Sequence, residues 1–275
     1  MRVAFQGEPG AYSEAAVLQH YGPAVEPVPC PSFDRVFEAV AHGEVDAGLV
    51  PIENSLAGSI LENYDLLLAH ELPIIGEERL SVRHCLLAKP GTRLEDVRVA
   101  YSHPQALAQS MPFLKAHGIE ARPAYDTAGS ARELASRDEP GAAAIASRRA
   151  AEIYGLEVLA EGIQTRQDNT TRFFAIALER PADLPREKAS LVFSAPNVPG
   201  ALYAGLGVLA DHGLNMTKLE SRPTKDTPWE YFFYVDLESP DLSPELFSAL
   251  NADLLARGVT FARVLGVYPK APPSR

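Results

Sequence analysis

The sequence predicts an α/β protein of two domains: a larger domain of parallel strands covered by helices, then a smaller ferredoxin-like domain. Through roughly the first 180 residues, short β-like runs alternate with helix-length amphipathic runs, which is typical of parallel sheets. Further along, the order changes to strand, helix, strand, strand, helix, strand. The length of 275 residues also exceeds the size at which a single core usually stops growing, so two domains are expected.

Apolar periodicity gives the elements of the first domain in order. Runs of apolar and β-branched residues predict strands at Val3-Ala4-Phe5, Asp46 to Ile52, Val99-Ala100-Tyr101, Ala142 to Ala146 and Arg172 to Leu178. Helical spacing of apolar residues predicts helices over Tyr12 to Tyr21, Phe33 to His42, Ile60 to His70, Pro104 to His117, Ala128 to Ser136 and Ser147 to Tyr154.

A Pro-rich patch from Arg180 to Pro185 breaks this alternation and is predicted to be a linker. Beyond it the predicted elements are strand Ala189 to Ala195, helix Gly200 to His212, strand Asn215 to Pro223, strand Tyr231 to Leu237, helix Pro244 to Arg257 and strand Val259 to Val267. That order is a βαββαβ ferredoxin-like unit of about 80 residues.

Composition narrows the class of protein. Apolar residues make up 46% and charged residues 22%, which indicates a soluble globular protein with packed cores. The net charge of −11 argues against a nucleic-acid partner. It also means that an anionic substrate must be met by cations placed locally.

The two cysteines, Cys30 and Cys85, are far too few for a disulfide scaffold, and the first seven residues lack the apolar run of a signal peptide. We therefore expect a cytoplasmic location. No stretch of about 18 apolar residues occurs, so no membrane span is expected.

Polar clusters follow three predicted strands, and each cluster precedes a helix. Gly7 to Ser13 follows the first strand, Glu53-Asn54-Ser55 the second, and Ser102-His103 the third. In open α/β sheets, ligands bind beyond the carboxyl ends of strands, where helix N-termini offer free N–H groups to anions. These clusters therefore mark a candidate site.

Each cluster also has a purely structural interpretation. Asn54, Ser55, His103 and Asp126 could serve only as helix caps, and Gly7-Glu8-Pro9-Gly10 could be only a tight turn. That turn matches neither a dinucleotide fingerprint nor a P-loop. No Gly-x-Ser-x-Gly elbow indicates a serine hydrolase. His, Cys and Asp never fall at ligand spacing, so no metal site is expected.

Four motifs occur together in one order and resemble those of the prephenate dehydratase family. They are Gly7-Glu8-Pro9-Gly10-Ala11-Tyr12-Ser13-Glu14, Val50-Pro51-Ile52-Glu53-Asn54-Ser55, Ser102-His103-Pro104-Gln105-Ala106-Leu107 and Asn169-Thr170-Thr171-Arg172-Phe173-Phe174. The resemblance implies a catalytic domain over residues 1–181 with two lobes, like a type II periplasmic binding protein. One lobe would comprise about 1–78 plus 158–181, and the other 79–157.

The resemblance implies a reaction that converts prephenate to phenylpyruvate, water and carbon dioxide, with no cofactor. It implies a proton-donor role for Thr171 and carboxylate binding by Arg172 and by the helix N-termini near Asn54-Ser55 and Ser102-Gln105. His103, Thr127 and Phe173 complete the expected substrate site. Thr127 belongs to Asp126-Thr127-Ala128-Gly129-Ser130, which departs slightly from the family's Asp-Thr-Ala-Ala-like stretch.

Residues 189–268 resemble an ACT regulatory domain. The resemblance rests on a turn before the first helix and a stretch of the second strand, and it implies L-phenylalanine as the effector of a homodimer or homotetramer. The implied effector-binding residues are Gly200, Ala201, Leu202, Leu214, Asn215, Glu220, Ser221, Arg222 and Pro223.

Two alternatives stay open at this point. Arogenate dehydratase acts on a substrate with an amino group where prephenate has a keto group, and the sequence does not separate the two. A non-catalytic two-lobed binding protein with an amino-acid-sensing domain could share the same scaffold, because a fold does not by itself fix a function.

Overall fold

The computed structural model describes residues 1–224 and 230–271, and it confirms the expected fold class. In chain order the elements are β1 (Arg2–Gln6), α1 (Tyr12–Tyr21), β2 (Glu26–Cys30), α2 (Phe33–Ala41), β3 (Ala47–Asn54), β4 (Gly58–Ser59), α3 (Leu61–His70), β5 (Ile74–Ser81), β6 (Cys85–Ala88), a short 3₁₀ helix (Leu94–Asp96), β7 (Val99–Ser102), α4 (Pro104–Ala116), β8 (Glu120–Pro123), α5 (Thr127–Ser136), β9 (Ala142–Ala146), α6 (Arg148–Tyr154), β10 (Glu157–Glu161), β11 (Thr170–Ile176), β12 (Lys188–Ala195), α7 (Ala201–Asp211), β13 (Asn215–Pro223), β14 (Tyr231–Glu238), α8 (Pro244–Ala256) and β15 (Phe261–Tyr268).

The described residues form two compact units. The first holds Met1–Ile60 and Glu78–Phe173, and the second holds Leu61–Glu77 with the described residues from 174 to 271. Helix α3 therefore belongs to the same unit as the ferredoxin-like elements. Among the described helices, none has the length and apolar content needed to cross a membrane.

One sheet of the first unit has the strand order β11-β3-β1-β2, and β1 runs parallel to both of its neighbours. Strand β4 folds back antiparallel onto the end of β3. Helix α2 packs on this sheet with Val36, Phe37 and Val40 fully buried. The sequence analysis did not predict β2, because the two prolines of this short strand, Pro27 and Pro29, are typical of a loop.

The second sheet of the first unit has the order β10-β6-β9-β7-β8. Strand β7 is parallel to β8 and β9, as expected, but β6 runs antiparallel to both β9 and β10. This sheet is therefore mixed. Ala142 to Ala146 are all buried, which is typical of a strand covered by helices on both faces.

In the second unit, the strand order is β13-β14-β12-β15-β5. Strands β12, β13, β14 and β15 are antiparallel, and α7 and α8 cover a core of residues such as Phe193, Val235 and Leu250. At the β15–β5 pairing, a Cβ at Gly266 would lie 2.2 Å from the Ile74 carbonyl oxygen. Glycine is therefore required for this close approach.

Candidate active site

A cavity of about 260 Å³ opens in the first unit at the carboxyl ends of β3 and β7 and at the start of β11. This is the position that the polar clusters predict, beyond the carboxyl ends of strands. Its lining residues are Tyr12, Ser13, Pro51, Asn54, Ala57, Ile60, Val82, His84, His103, Gln105, Ala106, Gln109, Asp126, Thr127, Asn169, Thr171 and Phe173.

Strand β11 presents alternate residues to the cavity. Thr171 and Phe173 line it, and Phe173 is almost fully buried. Arg172, between them, is not among the lining residues. Because successive side chains of a strand point to opposite faces, Arg172 faces away, with a guanidinium nitrogen 3.9 Å from a Glu53 carboxylate oxygen. The structure therefore does not bring Arg172 to the cavity, where the sequence analysis expected it to bind a carboxylate.

Asn54, at the end of β3, contacts the Thr171 hydroxyl directly. Its side-chain oxygen accepts hydrogen bonds from the backbone N–H groups of Leu56 and Ala57, each at 3.0 Å. Its side-chain nitrogen must then be the donor, and it lies 3.0 Å from Thr171 Oγ1. The Thr171 oxygen accepts this bond, so the hydroxyl proton is left for another acceptor.

Ser55 is not a cavity residue. It is exposed, and its hydroxyl donates to the Asp168 carbonyl at 2.9 Å while accepting from the Thr170 N–H at 3.0 Å. Its backbone N–H also donates to the Thr170 carbonyl. Ser55 therefore fastens the end of β3 to the start of β11, which places Asn54 against Thr171.

Some residues around the start of α4 line the cavity, and others support its wall from behind. Ser102 is fully buried behind the cavity, where its hydroxyl donates to the Ile145 carbonyl at 2.6 Å. His103 caps α4, because its Nδ1 accepts from the Gln105 N–H at 3.2 Å. His103 and Gln105 both line the cavity. The start of a helix therefore forms part of the wall, as Pro104 at the first helical turn predicts.

A second helix, α5, also begins at the wall. Asp126 caps it by accepting from the Gly129 N–H, and Thr127 lines the cavity. Among the lining residues given above, none is Lys or Arg. The local cations expected from the net charge are thus replaced there by amide groups and by the positive ends of two helix dipoles.

The Gly-Pro loop before α1 is attached to α6 rather than open to a nucleotide. Ser147 Oγ donates to the Gly10 carbonyl at 2.6 Å, and Tyr154 donates to the Pro9 carbonyl at 2.8 Å. Gly10 has φ of 90°, and a Cβ there would lie 2.8 Å from the Ala150 Cα. Glycine is required at this position because the two chains pass so closely.

Tyr12, His84, Gln109 and Asn169 are among the lining residues that sequence reasoning did not assign to the site. Two of them carry a signal, since Gln109 lies one helical turn after Gln105 and Asn169 lies two residues before Thr171 in the chain. His84 carries none. Burial lowers the pKa of His84, although a hydrogen bond to Gln109 acts in the other direction, and burial raises the pKa of Tyr12.

The predicted effector residues all lie in the second unit, and those of β13 occupy two faces of its sheet. Ser221 pairs with Phe233, which packs against the core under α7 and α8. Arg222 alternates to the other face, where it makes a bidentate ion pair with Asp65 of α3, both bonds being 2.5 Å. Ser221 and Pro223 are exposed, and Glu220 contacts Lys218 at 3.7 Å.

The other predicted effector residues surround α7. Gly200 caps this helix in the left-handed region, with φ of 85°, and Ala201 begins it. Leu202 packs on the core of the unit. Leu214 is buried and Asn215, at the start of β13, is exposed.

Two family models match the chain. A model described as prephenate dehydratase matches residues 3–181, and a model described as ACT domain matches residues 189–254. A relative from Arabidopsis thaliana, named arogenate dehydratase/prephenate dehydratase 2, chloroplastic, is 47% identical over 280 residues. That alignment covers 98% of this chain and 73% of the relative.

Two solved structures are similar over nearly the whole chain. A prephenate dehydratase from Arthrobacter aurescens in complex with L-Phe has a TM-score of 0.86 and 33% identity, covering 98% of this chain and 90% of that one. A protein described as a novel type of quorum quenching acylase has a TM-score of 0.89 and 38% identity, covering 99% of each chain.

The prediction of a cytoplasmic location is wrong against these comparisons, because the Arabidopsis relative is named as chloroplastic. The physical reason is that the prediction rested on the two cysteines and on the composition of the first seven residues. Both cysteines are free and buried. Such features indicate reduced thiols and do not distinguish one reducing compartment from another.

Proposed function

Because the chain belongs to the prephenate dehydratase family, we propose that it is a carbon–oxygen lyase that converts prephenate to phenylpyruvate, water and carbon dioxide. The observation that carries the proposal is the bond from Asn54 to Thr171 Oγ1. This bond leaves the Thr171 proton for a ligand in the cavity, where it can serve a departing hydroxyl. The cavity wall also includes the starts of two helices, which can bind a carboxylate.

The reaction needs no external electron pair. The bond between the ring and its carboxylate breaks and releases carbon dioxide, and its electrons move through the ring to expel the hydroxyl on the opposite carbon. That oxygen takes a proton and leaves as water, and the ring becomes aromatic. The protein therefore has to orient the substrate, bind its carboxylates and donate to the leaving oxygen.

Thr171 is assigned the donor role. An aliphatic hydroxyl is a weak acid, so it donates a hydrogen bond or relays a proton from water rather than ionising. Phe173, beside it on the same face of β11, provides an apolar wall for the substrate ring. Arg172 is a support residue in this proposal, since its pairing with Glu53 connects β11 to β3 on the other face of the sheet.

The carboxylates are assigned to the helix starts. Gln105 on α4 and Thr127 on α5 lie at the positive ends of their helix dipoles, where negative charge is favoured. His103 adds an imidazole beside Gln105. Together these groups supply donors for both carboxylates without a lysine or arginine in that part of the wall.

Arogenate is the second candidate substrate. The Arabidopsis relative is named for both activities. Asp126 contributes a carboxylate to the cavity wall, and this carboxylate is a partner for the ammonium group of arogenate. We expect prephenate to be the better substrate, because the Asp126 carboxylate already accepts from the Gly129 N–H, its capping partner.

Two other functions are less well supported. A binding protein without catalysis would also place donors in its cavity, and it is the match to the prephenate dehydratase family model that disfavours this alternative. An acylase activity, for which one similar structure is named, would need an activated nucleophile, and the Ser102 hydroxyl is bonded to a backbone carbonyl behind the cavity.

We further propose that L-phenylalanine binds the ACT domain and inhibits the enzyme, and that the active form is a homodimer or homotetramer. The L-Phe complex of the Arthrobacter aurescens protein supports the first part. The ion pair between Arg222 on β13 and Asp65 on α3 offers a route from the effector site to the cavity. Helix α3 follows directly in the chain after Ile60, which lines the cavity.

The test is a direct assay of the purified full-length protein. Prephenate and arogenate are supplied separately, and phenylpyruvate or phenylalanine is measured with and without a chelator. Turnover of either substrate supports a dehydratase, and the ratio of kcat/KM values identifies the preferred one. Turnover of neither, by a protein that is folded and binds both, would favour the binding-protein alternative. Release of an acyl group from an acylated test substrate by the same preparation would favour the acylase alternative.

A further inference from the structure

We propose that His84 is a positioning residue, whose Nε2 proton holds the Gln109 amide with its NH₂ group turned toward the cavity. His84 Nε2 lies 2.7 Å from Gln109 Oε1, and its Nδ1 lies 2.8 Å from the Tyr12 hydroxyl. His84 and Tyr12 line the cavity together with Gln109. The position of the His84 proton follows from a chain of hydrogen bonds that begins at Asn54.

The direction of the chain is set by backbone donors. The N–H groups of Leu56 and Ala57 can only donate, so the atom of Asn54 that they contact must be its oxygen. The Asn54 nitrogen then faces Asn169, 2.8 Å from its oxygen. The Asn169 amide is thereby oriented as well, and its nitrogen points to Gln109 at 3.0 Å.

The same reasoning continues to the histidine. The atom of Gln109 that accepts from Asn169 must be its oxygen, and His84 Nε2 contacts that same oxygen. Two acceptors cannot share a hydrogen bond, so His84 must carry a proton on Nε2. Its backbone is fixed too, because the His84 N–H donates to Gln164 Oε1 at 2.9 Å.

The other ring nitrogen completes the assignment. Burial disfavours the charged ring, so a proton on Nε2 leaves Nδ1 as an acceptor. The Tyr12 hydroxyl lies 2.8 Å from this nitrogen and 2.9 Å from the Arg83 carbonyl oxygen, so its one proton has two acceptors within reach. The Gln109 oxygen thus places the His84 proton on Nε2, and that proton helps to hold one orientation of Gln109.

The consequence is a cavity wall that offers donors. The Gln109 oxygen is used inside the protein by His84 and Asn169, so its NH₂ group is the end available to a ligand. The Thr171 proton is available on the other branch of the same chain. Under the proposed function, on which this step rests, Gln109 donates to a substrate carboxylate and His84 acts through it.

The proton assignment can be tested without a substrate. In the full-length protein labelled with ¹⁵N-histidine, the spectrum of the His84→Gln variant identifies the His84 signals among the seven histidines. At neutral pH we expect the neutral tautomer with the proton on Nε2. A proton on Nδ1 alone, or a charged ring, would overturn the proposal.

Two variants separate positioning from packing. In His84→Gln, the side-chain amide nitrogen can take the place of Nε2 and donate to Gln109, whereas in His84→Asn the amide reaches only the place of Nδ1. We expect the Gln variant to keep kcat/KM within about threefold of wild type. We expect the Asn variant to lose about tenfold in kcat/KM, mainly through a higher KM. A tenfold loss is the scale of one hydrogen bond.

Equal activity of both variants and wild type would overturn the proposal. Equal loss in both folded variants would overturn it also, because the bulk of the ring rather than its proton would then matter. If wild type turns over neither substrate, the proposed function fails. The tautomer measurement still decides the proton assignment in that case, so the two failures are distinguishable.

Discussion

The Asn54 side-chain nitrogen lies 3.0 Å from Thr171 Oγ1, although the two residues are 117 positions apart in the chain. This contact joins the end of one strand to the start of another in the same sheet. It decides which way the Thr171 proton can point. The first two predictions test the two partners of this bond.

Removing the Thr171 hydroxyl should abolish most catalysis and leave the fold intact. We expect Thr171→Ala to lower kcat by about 10²-fold or more, the usual scale for a positioned proton donor. Thr171→Ser keeps the hydroxyl and should retain more activity. Steady-state kinetics measure kcat, and circular dichroism serves as the control for folding. A folded Ala variant with wild-type kcat would show that Thr171 is structural, and His103 would become the candidate proton donor.

Reversing the Asn54–Thr171 bond should have a similar effect without removing an atom from Thr171. In Asn54→Asp, the carboxylate cannot donate, so the Thr171 hydroxyl donates to it and its proton is withdrawn from the cavity. We expect kcat to fall by about 10²-fold. The carboxylate still accepts from Leu56 and Ala57, but it also faces the Asn169 oxygen that the Asn54 nitrogen contacts at 2.8 Å, so the thermal midpoint should fall as well; unchanged kcat in the folded variant would contradict the proposed direction of this bond.

The Arg222–Asp65 pair should transmit inhibition by L-phenylalanine. We expect Asp65→Asn to keep uninhibited activity but to weaken the coupling, which is typically about 1–3 kcal/mol. Glu71→Gln is the matched control, because Glu71 forms another arginine pair in the same unit, with Arg263 at 2.7 Å. Inhibition curves that shift equally in both variants would show that the Asp65 pair has no special role.

The buried pair of Lys188 and Glu77 should matter for stability. Their nitrogen and oxygen are 3.0 Å apart, and both side chains are almost fully buried. Lys188→Met leaves a buried carboxylate without its cation, so we expect a loss of about 3–5 kcal/mol in the free energy of unfolding. Adding Glu77→Leu should restore much of that loss. Denaturant unfolding of the single and double variants checks this, and additive losses would argue against a coupled pair.

The pH dependence of stability should carry a contribution from His84. Burial lowers the pKa of His84 in the folded protein below the value of about 6.5 in the unfolded chain. As pH falls through that range, the unfolded chain binds a proton that the folded protein does not, so stability falls. Urea unfolding at pH values on either side of this range should show a smaller decrease in the His84→Gln variant than in wild type.

Local patterns in the sequence determined the order of the elements and where a site should lie. Apolar spacing predicted α1 from Tyr12 to Tyr21, and polar clusters after three strands marked the edge where the cavity opens. The four motifs also indicated the family that the comparisons show. Each of these features depends on residues close together in the chain.

Only the tertiary structure decided what each side chain does at the site. It turned Arg172 away from the cavity, used Ser55 to fasten two strands, and placed His84 against Gln109. Hydrogen bonds between residues far apart in the chain depend on sheet order and on how helices pack, and no local pattern encodes them. The direction of a proton at Thr171 therefore follows from contacts that form only when the chain has folded.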